Sequence, residues 1–134
     1  MALSKNEPFA FKEGEYNDLP VLASTRVYEG AVVSVTAAGF AKGFAGTDTI
    51  FGGIAQAEAN NSAGASGDIN VQVRRGQFYG VVTLSSAADA DAGDAIYASA
   101  DDTFTKTSTS NLEVGKIVQV MATDKVLVQF NTGL

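Results

Sequence analysis

Between Ala92 and Phe130 the chain reads AGDAIYASADDTFTKTSTSNLEVGKIVQVMATDKVLVQF. Short runs of branched and aromatic residues are cut at intervals by Asp, Gly, Asn and Ser. Such runs bounded by turn formers are strands, and none shows the repeat of about 3.6 residues that marks a helix face. The stretch ends in a hairpin: KIVQVM (116–121), a turn over 122–125, then VLVQF (126–130). In that last strand Val126, Val128 and Phe130 share one face. A chain of this texture folds by pairing short strands, and it carries few groups that could react.

The same texture extends upstream. Ile69, Val71 and Val73 alternate with Asn70, Gln72 and Arg74, which predicts one buried and one wet face. Arg75-Gly76 interrupts, and QFYGVVTL (77–84) resumes, with Gly80 signalling a bulge or a close backbone approach. VYEGAVVSV (27–35) is a strand broken at Gly30, and 54–59 reads as another. The glycine-rich 37–53 reads as turns and short edge pieces. NNSAGASG (60–67) reads as a flexible loop, and SSAADADAGD (85–94) as a polar loop with one helical turn. Roughly eight strands spaced by ~8–12 residues predict an all-β sandwich or barrel. With 134 residues, one such core can fold without disulfides or metal.

Residues 1–20 differ. Both prolines, Pro8 and Pro20, lie here, with isolated Phe9, Phe11 and Tyr16. Proline removes a backbone donor and restricts its predecessor, so the segment is expected to be extended and not packed in a sheet. The domain reading is therefore an arm at 1–20 and a β domain at 21–134. A solvated tail is one reading of the arm; the other is a segment whose Phe-x-Phe orders on a neighbouring subunit. No stretch resembles a signal peptide or a membrane helix, so a soluble protein made in a cytoplasm, with no membrane partner, is expected.

Several chemistries fail on residue type or spacing. The chain has no Cys and no His, which removes thiol nucleophiles, zinc clusters and Ser–His–Asp triads. A P-loop needs Gly-x-x-x-x-Gly-Lys-Ser/Thr; around Gly115-Lys116 the first glycine is Ser110 and the last position is Ile117. Counted from Asp89, a calcium loop would need a ligand where Gly93 stands, glycine where Asp94 stands and Glu where Ala100 stands, so a solvated acidic turn is expected. Most other acids sit in predicted turns, where Asp is favoured for backbone reasons. Nine basic and fifteen acidic residues give a net charge of −6, which opposes nucleic-acid binding. Arg74-Arg75 beside Phe78 and Tyr79 imitates a stacking platform for single strands, but Arg74 falls on the polar face of its strand. The expectation is a non-enzyme with no metal and no cofactor.

The order of motifs resembles one family. EGAVVSV precedes FGGIA (51–55), then RGQFYGV (75–81), AGDAIY (92–97), a Thr-rich strand, VGKIV (114–118) and the closing hairpin. Over about residues 25–130 this is similar to the capsid decoration, or cement, proteins of tailed bacteriophages, with a role like that of the lambdoid head-decoration proteins. The resemblance implies a small β-tulip or β-barrel-like domain, a homotrimer on the outer surface of the expanded head, and a partner in the major capsid protein. It also implies an N-terminal segment that engages the lattice. On that reading Pro8, Phe9, Phe11, Tyr16 and Leu19 are capsid-contact candidates. Arg74, Arg75 and Asp101 are candidates for polar contacts between subunits.

A ligand-binding β module, for carbohydrate or surface adhesion, is the alternative. Phe40, Phe44, Phe78 or Tyr97 would then supply a stacking surface, although an all-β core without Trp needs its Phe residues inside.

Overall fold

The computed structural model describes residues 15–134. Twelve strands follow in chain order: β1 (Tyr16–Pro20), β2 (Thr25–Val27), β3 (Val32–Val35), β4 (Ala41–Gly43), β5 (Ile50–Ala55), β6 (Ala59–Asn61), β7 (Asn70–Arg74), β8 (Gln77–Thr83), β9 (Ala95–Ala100), β10 (Thr103–Thr105), β11 (Leu112–Ala122) and β12 (Lys125–Asn131). They form three antiparallel sheets, ordered β1-β7-β5-β3-β4, β10-β9-β11-β12-β8 and β2-β6. The described residues hold no α-helix, only a single 3-10 turn at Asp89–Asp91. No sheet closes into a barrel: β8 and β10 end the second sheet with no ladder between them.

The strand count exceeds the expected eight because of four short pieces: β1, β2 and β6 exist only through distant partners, and β4 closes a hairpin on β3. β1 is the clearest correction. Tyr16–Pro20 lies within the segment expected to stay out of any sheet, yet it pairs antiparallel with β7, from Tyr16 opposite Arg74 to Pro20 opposite Asn70. β1 is an edge strand, where proline's missing donor is tolerated.

Two apolar clusters hold the layers together. Consecutive side chains of β3 point to opposite faces, and Val32 joins one cluster while Val33 joins the other. The first cluster fills the space between the first and second sheets, with Phe51, Ile96, Ile117, Val128 and Phe130 among its members. The second lies between the first sheet and the β2-β6 ribbon, around Val27, Val71 and Val73. The middle sheet is therefore buried on both faces at β3 and β5, while β7 keeps Asn70 and Gln72 exposed. Each fully buried Val, Ile or Phe contributes roughly 1.5–3 kcal/mol relative to exposure.

Glycines resolve two crowded points. In β5, Val33 pairs with Gly53 and Ser34 with Phe51, so Gly52 is an extra residue and the strand bulges. The bulge brings Phe51 and Ile54, three positions apart, to the same cluster. At Gly80 the register with β12 is unbroken, and a Cβ would stand 3.1 Å from the Phe130 ring. The interruption expected there is a close approach and not a bulge.

The 60–67 segment is not a free loop. Asn61 is 3% exposed, and its Nδ2 donates to the carbonyls of Val21, Leu22 and Ala65 at 3.2, 3.0 and 2.9 Å. Two hydrogens serve three acceptors, so one is shared. The side chain ties this segment to the connection between β1 and β2.

Candidate functional site

Pro8, Phe9 and Phe11 lie outside the described residues. The structure brings most of the other sequence candidates together. Arg74, at the end of β7, holds its guanidinium 5.2 Å from the centre of the Tyr16 ring and donates to Tyr16 Oη at 3.1 Å. It also pairs with Glu15 at 3.5 Å. Arg75 donates to Asn17 Oδ1 at 3.1 Å, and its backbone N–H donates to Glu15 O at 3.0 Å. Both arginines thus fasten β1 to the β7–β8 turn within one chain. Leu19, on the same strand, packs against the second cluster. Asp101 stands apart in the β9–β10 turn, where its carbonyl accepts from Val32 N–H at 2.8 Å and its side chain closes over Gly43.

Two of the four aromatics proposed for stacking are core. Phe44 and Phe78 are buried, while Phe40 and Tyr97 are half-buried. Phe130 is the hub: it stacks on Phe78 at 5.1 Å, meets Phe104 edge-on at 6.1 Å and lies tilted to Phe51 at 6.3 Å. Beside these rings a groove of about 280 Å³ runs along β8, lined by Ile54, Arg74, Val82 and Phe104.

The acidic turn is not solvated throughout. Asp91 is buried, accepting from Lys106 Nζ at 2.8 Å and from Ala88 N–H at 2.9 Å. The hydrogen bond from the Lys106 ammonium, then that from the Ala88 amide, holds its carboxyl below the ordinary carboxylate range. Among the described residues no group of three or more His, Cys, Asp or Glu is placed to hold a metal. No helix there is long and apolar enough to cross a membrane.

One surface escaped the sequence reading. The outer face of the β8-β12-β11 half of the second sheet exposes Tyr79 (62%), Val81 (54%), Met121 (55%) and Val118 (45%). Leu127, between Val81 and Gln119 in the ladder, is half-buried there. Its signal was present: the run FYGVV (78–82) is apolar in both parities, more than a half-wet strand needs.

AGDAIY (92–97) and VGKIV (114–118) prove to be one unit. Gly93 N–H donates to Ile117 O at 2.7 Å, and Ile117 N–H donates to Asp94 O at 2.9 Å. The clasp continues as a ladder, Ala95 opposite Lys116 and Ile96 opposite Gly115. Glycine is required at 115, where a Cβ would stand 2.0 Å from Gln129 O. No protein-family model matches this chain, and no curated protein or solved structure matches it either.

Proposed function

We propose that the chain is a capsid decoration protein of a tailed bacteriophage, binding the outer surface of the head as a homotrimer and bracing the major capsid protein lattice. The observation that carries the reading is the clasp between AGDAIY and VGKIV. The segments that resemble the family build one hydrogen-bonded corner of the second sheet. A layered β body with two packed cores suits a brace, which needs rigidity and interfaces and no reacting group. Many equivalent sites on a shell turn modest contacts into firm attachment.

The test is sedimentation of the purified chain with expanded heads that lack it. Protein left in the supernatant at saturating shell would sink the proposal. Removal of residues 2–14 is expected to weaken attachment and leave the fold intact. A longer deletion would confound the experiment, because Tyr16–Pro20 is part of a sheet.

The aromatic-lined groove along β8 favours a second reading, a ligand-binding module for carbohydrate or surface adhesion. Saturable binding in a glycan screen, lost on Phe104→Ala, would favour it over the first.

A further inference from the structure

Four of the eight large apolar side chains exposed among the described residues, Tyr79, Val81, Val118 and Met121, share the outer face of the β8-β12-β11 half-sheet. A clustered apolar face on a soluble protein marks a contact surface. Its charges are Lys116 and Lys125 against Glu113, which lines the same hollow as Lys116; neither lysine has an ion-pair partner among the described residues, whereas Arg26, Lys42, Arg74 and Lys106 each have one. The chain as a whole carries −6. In the β9–β10 turn, Asp101 and Asp102 make no ion pair among the described residues.

We propose that this face joins copies of the chain, each copy seating it on the acidic β9–β10 end of the next. The inference rests on the homotrimer reading above and names the surface that builds the trimer. A second copy is the partner whose complementary charge the structure displays, and opposite potentials across a contact favour encounter and fix register. A face-to-face two-fold pair would set the lysines of both copies in one interface. β8 and β10 lie at opposite edges of the sheet, so contact from one edge to the other is head-to-tail. A head-to-tail contact closes as a ring when its rotation permits.

The chain has no cysteine, so single thiols report cleanly. Val118→Cys and Tyr79→Cys place one on the face; Tyr28→Cys places one on the exposed β2–β3 turn as reference. Maleimide labelling is followed against protein concentration, with sedimentation equilibrium giving the mass. The face thiols are expected to slow by about tenfold or more where the mass is trimeric, with Tyr28→Cys unchanged. Lys116→Glu with Lys125→Glu is expected to raise the dissociation constant by at least about tenfold, and Asp101→Lys with Asp102→Lys in the same chain to restore association in part. A trimer whose face thiols react at the monomer rate overturns this interface and leaves the trimer standing. A monomer at every concentration overturns this inference and leaves the capsid reading to sedimentation with heads. Protection that arises only on heads assigns the face to the shell and overturns the inference.

Discussion

Phe130 touches three rings from three strands, so it couples β5, β8 and β10 to β12. Phe130→Ala removes all three contacts and leaves a void between the first and second sheets. A loss of about 3–5 kcal/mol is expected, read as a lower urea midpoint at unchanged slope. Asn61 works through hydrogen bonds instead. Asn61→Ala would strand the Leu22 carbonyl, while those of Val21 and Ala65 keep the N–H groups of Gly67 and Asp68, and a cost of about 1–3 kcal/mol is expected by the same measurement. Asp91 gives a signature in pH. Its carboxyl is held below the ordinary range, so the native state binds its proton less readily than the unfolded chain. Its contribution is complete above the ordinary carboxylate pKa of about 3.9 and is lost as pH falls through the lower native value. Asp91→Asn should therefore lower stability at neutral pH and shrink the difference from wild type in acid. Parallel stability profiles across that window would show that the Lys106 pair contributes nothing.

Elements are fixed by pairing parity, and β8 shows how. Leu84 N–H donates to Asp124 O, and Thr132 N–H donates to Gly76 O, which sets the even-numbered residues of β8 as the hydrogen-bonded positions. The amides of Gln77, Tyr79, Val81 and Thr83 then point to the open edge. Val82→Pro should break the ladder to β12 and cost about 1 kcal/mol or more, while Val81→Pro should leave that ladder whole. Amide exchange across β12 reads the difference; equal loss of protection in both variants would refute the parity. Strands marked by a local run of branched and aromatic residues were legible in the sequence: 70–74, 77–83 and the closing hairpin are strands as expected, with β11 starting at Leu112, ahead of the expected 116. β1, β2, β4 and β6 were not. Each is short, polar or glycine-rich; β1, β2 and β6 become strands through a partner far along the chain, as Tyr16 does opposite Arg74, and β4 through its hairpin with β3.

At the scale of the whole molecule, the three layers decide which apolar residues face water. Two sheets and a ribbon leave the outer face of β8-β12-β11 uncovered, while β3 and β5 of the middle sheet are buried on both faces. Deletion of residues 2–14 is expected to keep a single cooperative urea transition with a midpoint close to wild type. A second transition, or a much lower midpoint, would make that segment part of the fold. By itself the sequence determined the all-β class, because period-two alternation and turn residues are local properties of a few neighbouring positions. It also determined the absence of thiol and imidazole chemistry, which depends only on residue types. Tertiary structure alone decided that Arg74 and Arg75 hold β1, that Asp91 is buried against Lys106, and that Tyr79 and Val81 stay exposed. Those outcomes depend on which segments meet in space, and an alternating strand reads the same whichever layer covers it.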